Sequence, residues 1–214
     1  MKFNGWPEVG LDWLEDIVDH NERPWFLAHK DTYEASVRGP MEALLADVAT
    51  EFGPGKVFRP HRDVRFAKDK RPYKENVAGV VNGPRGGGWY VGLAADGLTI
   101  ASGWYWMSAD QLQRYRAAVD AATGEVLEAA VSGLRGDGFE VGGETVRTAP
   151  RGWPRDHPRI DLLRMKSMTV WRRFPPSRWF STPRAEQEVL KAWRRAAPVN
   201  EWLAEHVGPP DVTE

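Results

Sequence analysis

Residues 59–76 read RPHRDVRFAKDKRPYKEN and hold the densest set of chemistry-bearing side chains in the sequence. Arg59, Arg62, Arg65, Lys68, Lys70, Arg71 and Lys74 stand against Asp63, Asp69 and Glu75, a local net charge of +4 in a chain whose formal net charge is −1. Arginine grips carboxylate and phosphate with a planar pair of donors, whereas lysine acts as a mobile point charge. A loop carrying both would neutralise an anionic ligand and, in an enzyme, the charge that develops on it. Arg59, Arg62, Arg65, Lys68, Lys70 and Lys74 are therefore the candidate anion ligands. Tyr73 adds a phenol at the turn that Pro72 stiffens, and Asp63 and Asp69 are the candidate proton carriers. The Asp63-Val64-Arg65 alternation suits a strand that sends Asp63 and Arg65 to one face, with Phe66 anchoring the stretch in the core.

The same residues support two other readings. Interleaved Asp and Arg form ionic networks that hold a loop together without doing chemistry. Cations beside Phe66 and Tyr73 also suit contact with an acidic macromolecule, although no nucleic-acid module is present. A second polar cluster follows at Asp156-His157-Pro158, with Arg159, Asp161, Arg164 and Lys166 behind it. His157 is the candidate general base and Asp156 a candidate ligand contact, against a plain turn-stabilising role. His61 would join them only if the two stretches meet. Without an HExxH pattern or a close metal-ligand pair, no metal is expected, and no cofactor motif is present.

The remaining motifs read as structure. GPRGGGWYVG at 83–92 lacks the phosphate-loop spacing and joins two strand signals, so it is expected to be a hairpin connection. Trp104-Tyr105-Trp106 closes a strand ahead of a capped helix and is expected to pack at the sheet end. Arg114, Arg116, Arg194 and Arg195 fit solvated helix faces.

These residues must be carried by elements whose pattern changes along the chain. Leu11, Leu14, Ile17 and Val18 predict a helix over 8–20, with Pro7 at its start. A second helical pattern runs from Tyr33 through Val37, Met41, Leu44, Leu45 and Val48 to Phe52, and Gly39-Pro40 predicts a kink or break within it. Val77–Val81, Trp89–Ala94 and Leu98–Trp104 then predict an antiparallel meander, with Asp96-Gly97 as its clearest hairpin signal. Ser108 and Gln111 form a capping-box pattern ahead of Leu112, Tyr115 and Val119. A short helix over 123–132, strands near 139–141 and 145–148, a brief helix after Pro158 and a strand over 168–174 follow. Ala185, Val189, Trp193 and Ala196 predict a last helix, broken at Pro198 before Trp202. The class is α+β, a central antiparallel sheet packed by N-terminal and C-terminal helices, because strands do not alternate regularly with helices.

The 214 residues suit one domain over 1–208, with 209–214 as a flexible tail. The absence of cysteine excludes disulfides, thiolate nucleophiles and cysteine-based metal sites. Eleven tryptophans spread from Trp6 to Trp202 suggest a core that draws on both ends of the chain. Near-zero net charge without a basic tail argues against a general nucleic-acid partner. The N-terminal stretch carries acidic residues among its apolar ones, so neither a secretory signal nor a membrane span is expected, and a cytoplasmic location follows by elimination.

The core RDVRFAKDKRPYKEN at 62–76, the Gly103-Trp104 strand end before Leu112 and Arg116, and PRGWPRDHPRIDLLRMK at 150–166 resemble domain-of-unknown-function family 2461, widespread in bacteria. FNGWPE and NERPWFLAHKDTYE resemble its opening. The likeness would span about residues 1–208 and implies a single α+β domain, pointing to no particular activity, substrate or cofactor. The expected function is therefore an anion-binding cleft formed by 59–76, in an enzyme acting on a small phosphorylated or carboxylated compound. A noncatalytic module for an acidic partner or nucleic acid, and a purely structural ionic network, remain the alternatives.

Overall fold

A computed structural model of the chain describes residues 2–83 and 87–211. Part of the glycine-rich connection, 84–86, and the end of the expected tail, 212–214, lie outside the described residues. The fold is α+β, with a central antiparallel sheet in the order β1-β2-β3-β4-β6-β5 flanked by N-terminal and C-terminal helices. The strands are β1 (Gly55–Val57), β2 (Asn76–Asn82), β3 (Gly88–Ala94), β4 (Gly97–Trp104), β5 (Glu140–Gly142) and β6 (Met168–Phe174). The chain gathers into two compact units, the first made of Met1–Asn82, Tyr90–Ile100 and Arg173–Lys191, the second of Gly83–Trp89, Ala101–Arg172 and Ala192–Glu214. Among the described residues, no helix is long and apolar enough to cross a membrane.

In the first unit, α1 (Glu8–Asp19) buries Trp13, Leu14 and Ile17, as its periodicity predicts. After α2 (Arg23–Ala28) and the single turn α3 (Lys30–Thr32), the expected break at Gly39-Pro40 takes the form of a π-helical stretch, Tyr33–Arg38, leading into α4 (Gly39–Phe52). Pro40 has no N–H to offer the Ser36 carbonyl one turn back, and its ring crowds that oxygen. The helix widens by one residue instead, the Gly39 N–H reaching the Glu34 carbonyl. That same Ser36 carbonyl is where α1 crosses. A Cβ built on Gly10 would lie 2.1 Å from the Ser36 oxygen, so the crossing requires glycine. Burial pushes the Tyr33 hydroxyl up to about 12 at the head of the π-helical stretch.

Helix α4 lays Leu45 over Gly55 and Gly79, on the antiparallel pair in which Gly55 faces Val81 and Val57 faces Gly79. Strand β1 follows directly on the Gly53-Pro54 break, where apolar periodicity offers no signal for it. The N-terminal segment and residues 173–191 meet in the core of this unit. The Trp6 N–H bonds to the Phe180 carbonyl at 2.9 Å, and Trp6 and Phe180 are buried.

In the second unit, the predicted capping box is present at Ser108 and Gln111, heading α5 (Ala109–Asp120). Helix α6 (Thr123–Gly136) follows, then β5, paired antiparallel to β6, with α7 (Ile160–Leu163) between them. The expected strand near 145–148 shrinks to a single bridge, Thr145 to Met165. Of the Trp104-Tyr105-Trp106 run, Trp104 is buried while Tyr105 is 89% and Trp106 68% exposed, so packing takes only the first ring.

The last helix corrects the expectation. Helix α8 (Arg184–His206) runs unbroken through Pro198. An interior proline costs about 3 kcal/mol, but just beyond it Val199, Trp202 and Leu203 are all buried, each worth about 1.5–3 kcal/mol. The Trp202 indole N–H also donates to the Thr123 carbonyl at 2.9 Å. Packing therefore outweighs the local penalty.

On an isolated helix, Gly10→Ala would add up to about 1 kcal/mol of helix stability. Here the added methyl meets backbone that cannot step aside, so a net loss of about 1–3 kcal/mol is expected in urea unfolding. A neutral or stabilising result would show that α1 can shift off the Ser36 carbonyl.

Candidate functional site

The basic stretch belongs to the first unit and is not a strand. Beyond Phe58 the chain runs out and back as a loop whose two limbs are tied by hydrogen bonds from the Arg62 N–H to the Pro72 carbonyl (2.8 Å) and from the Lys74 N–H to the Pro60 carbonyl (2.7 Å). His61 and Tyr73 form an isolated antiparallel bridge between these limbs. The Asn21 side chain, just past α1, fixes the returning limb by accepting from the Tyr73 N–H and donating to the Tyr73 carbonyl, each at 3.0 Å. Tyr73 does not present its phenol from the turn, as its place beside Pro72 suggested. It is buried, and its ring stacks on Phe26 with centroids 3.9 Å apart and planes 7° from parallel.

Beyond these ties the loop is framed by its own charges. Asp63 accepts from the Arg65 backbone N–H and from its guanidinium Nε (3.0 Å) and Nη2 (2.7 Å). Asp69 repeats the arrangement with the Arg71 N–H (3.0 Å) and guanidinium, and also receives Arg62 Nη1 at 2.8 Å. Arg71 reaches on to Glu75. The frame is thus two Asp-X-Arg turns six residues apart, Asp63-Val64-Arg65 and Asp69-Lys70-Arg71, a spacing readable in the sequence that a strand reading obscures. Aspartate favours such turns because its carboxylate reaches the N–H two residues on. Arg71, absent from the expected ligand set, is the residue that links the two carboxylates Asp69 and Glu75.

This pairing sets the chemistry. The Arg65 guanidinium and N–H hold the Asp63 carboxyl below the usual range, and Arg71, then Arg62, hold Asp69 well below it. A carboxylate so held is a weak proton acceptor near neutral pH. Lys70 closes the tip by donating to the Val64 carbonyl at 2.9 Å. Lys74 lies over the Phe58 ring, 5.1 Å from its centroid, and partial burial, with Arg59 nearby, lowers its pKa. Among the described residues, Arg59, Lys68, Lys70 and Lys74 stay outside every ion pair of the loop. Phe66 does not anchor the core as the alternation suggested. At the loop's apex, in the bend that follows the Asx turn at Asp63, it is 97% exposed.

The Asp156-His157-Pro158 cluster belongs to the second unit. His157 Nδ1 accepts the Arg159 N–H at 3.0 Å, which leaves the ring proton on Nε2, donated to Asp120 Oδ1 at 3.0 Å. Arg159, outside the expected site set, donates Nε to the Val119 carbonyl (2.7 Å) and Nη2 to those of Asp120 (2.9 Å) and Ala121 (3.1 Å). The Val119 and Asp120 carbonyls lie in the last turn of α5, where carbonyls lack helical partners and attract a cation, and that of Ala121, just past the helix, also accepts the Gly124 N–H. Tyr115 Oη donates to the Leu162 carbonyl at 3.0 Å, sewing α5 to the same segment. His157 and Arg159 thus close a helix end, while Asp156 is exposed and, among the described residues, in no ion pair. No group of three or more His, Asp and Glu able to hold a metal occurs among the described residues.

Because the folded-state pKa values of Asp63 and Asp69 are depressed, their contribution to stability is complete above the unfolded carboxylate range and is lost as the pH falls below it. Arg71→Ala should move the Asp69 carboxyl toward the ordinary range, with the backbone N–H at 71 and the Arg62 guanidinium retaining part of the depression. Carboxyl carbon chemical shifts followed through an acid titration test this. An unmoved Asp69 midpoint would show that Arg62 and the backbone N–H at 71 hold it without the Arg71 side chain.

A model of the family described as Conserved hypothetical protein (DUF2461) matches residues 10–202. No curated protein and no solved structure matches the chain. The matched span takes in the loop with its twin Asp-X-Arg turns, the six strands seen among the described residues and the helix-closing segment around His157. The chain belongs to the DUF2461 family.

Proposed function

We propose that this protein is a noncatalytic binding module that engages a short acidic protein segment through the loop from Arg59 to Lys74. The observation that carries the reading is Phe66, 97% exposed between Arg65 and Lys68, at the apex of a loop whose base is held by hydrogen bonds, ring stacking and internal ion pairs. An exposed phenylalanine is apolar surface left to a partner, worth about 1.5–3 kcal/mol when fully covered. The stiff frame lowers the ordering cost of binding. Lys68 and Lys70 on the loop's outer part, with Arg59 and Lys74 at its base, then supply a positive field that steers an acidic segment and sets its register.

Two considerations favour this reading over an enzyme on a small phosphorylated or carboxylated compound. Asp63 and Asp69 are committed to arginines and held ionised, which makes them poor bases. His157 has both ring nitrogens engaged in closing a helix. Nucleic acid is less favoured than protein because the rest of the chain carries −5 against the loop's +4 within an overall −1, a poor field for a long polyanion.

Fluorescence anisotropy with a labelled peptide of alternating Glu and Leu, measured at low and at physiological salt, tests the proposal. Binding that weakens with salt is expected, with Phe66→Ala costing about tenfold or more in affinity. A Lys68→Ala, Lys70→Ala double variant should flatten the salt dependence. Wild-type affinity in Phe66→Ala, or preference for a single-stranded oligothymidine of similar length, would overturn it.

A further inference from the structure

The face of the sheet turned away from α4 carries a recess of about 530 Å3, lined wholly by residues of the first unit, a size within the usual range for small-molecule sites. Alternation places it. Gly79 of β2 lies under Leu45, so Asn76 points the other way. Val91 and Leu93 of β3, with Leu98 and Ile100 of β4, are buried, leaving Tyr90, Gly92, Ala94, Gly97 and Thr99 to the opposite side.

What this face carries is unusual for a half-covered sheet. Small residues, Gly92, Ala94, Ala95 and Gly97, keep the floor low. Gly92 has a definite task, since a Cβ there would lie 2.4 Å from Tyr90 Oη and 2.9 Å from its ring carbon Cζ. The Tyr90 ring therefore lies along its own strand over Gly92 rather than standing upright. Asn76 Nδ2 donates to Tyr90 Oη at 3.4 Å, and burial raises the phenol, which keeps it protonated.

The charged side chains that line the recess are both acidic. Glu75 and Asp96 line it, with Asn76, Tyr90 and Thr99 as neutral polar groups and Val18 as apolar wall. Neither Lys, Arg nor His is in the lining. Glu75 shares its charge with Arg71. Asp96 is exposed at the β3–β4 turn and forms no ion pair among the described residues.

We propose that this recess binds a small organic cation, an amine whose charge is met by Asp96 and Glu75 and whose carbon chain lies along Ala94, Ala95, Val18 and the Tyr90 ring. An aromatic wall beside two carboxylates suits an alkylammonium, since the ring quadrupole attracts a cation that the carboxylates hold. The inference is independent of the loop's acidic partner, as the two surfaces select ligands of opposite charge.

Calorimetric titration of the full chain with spermidine, and in parallel with glucose and inorganic phosphate, tests it. Saturable binding of spermidine alone is expected, weakened about tenfold or more by Asp96→Asn and abolished by Thr99→Phe, which fills the recess, while Phe66→Ala leaves it unchanged. Amide chemical shifts of the unmodified chain should move at Ala94, Asp96 and Thr99, a readout that does not depend on the variants folding. Absence of saturable spermidine binding, equal binding of glucose, shift changes confined to other residues, or wild-type affinity in a folded Asp96→Asn would each overturn the assignment. Loss of peptide binding in Phe66→Ala with spermidine binding intact separates failure of one surface from failure of the other.

Discussion

The Asn21 side chain grips both backbone hydrogen-bonding groups of Tyr73, and the placement of the charged loop hangs from that grip. An amide is the natural choice for this, because it alone among the neutral side chains offers a donor and an acceptor side by side. With the backbone held, the Tyr73 ring stacks flat on Phe26, which itself packs against Trp13 and Tyr33. A loop rich in like charges would otherwise have little reason to adopt one conformation. The aromatic cluster of α1, α2 and the π-helical stretch supplies that reason.

Two consequences run outward from Tyr73 in opposite directions along the chain. Toward Pro60, the tied limbs set the distance over which the tip must close, and the Asp-X-Arg turns close it with charges that would repel if left unmatched. Toward β2, Glu75 and Asn76 enter the recess on the sheet. Arg71, bonded to both Asp69 and Glu75, connects the frame of the loop to the wall of the recess. The loop's internal pairing thus consumes the charges that look most like catalytic machinery and leaves at the surface a ring and four cations.

The second unit uses the same vocabulary for another purpose. His157 and Arg159 resemble a catalytic group with its supporting cation when read as a string, yet the carbonyls of α5 occupy the guanidinium and the Asp120 carboxylate occupies the imidazole. A helix that ends without glycine has to satisfy its last carbonyls by other means, and the chain folds a cationic turn onto them.

Much of this was legible in the order of residues. Period and punctuation identified α1, the meander of β2, β3 and β4, the Ser108 capping box and the α+β class, because these depend on interactions within a few positions. The chemistry was legible as a location, 59–76, since charge density does not depend on how the chain turns. What tertiary structure decided was direction and commitment. Whether Phe66 points in or out, whether Tyr73 shows its phenol or buries its ring, and whether Asp69 stands free or is clasped by arginines all turn on contacts with residues remote in sequence, such as Asn21 and Phe26, or on a turn that competes with a strand. Pro198 shows the same limit from the other side, where burial beyond it outweighs a local penalty that sequence alone weighs in isolation. The recess escaped the sequence reading altogether, because it is made of what Gly92, Ala94 and Gly97 lack, and absent side chains define a site only once a sheet brings them onto one face.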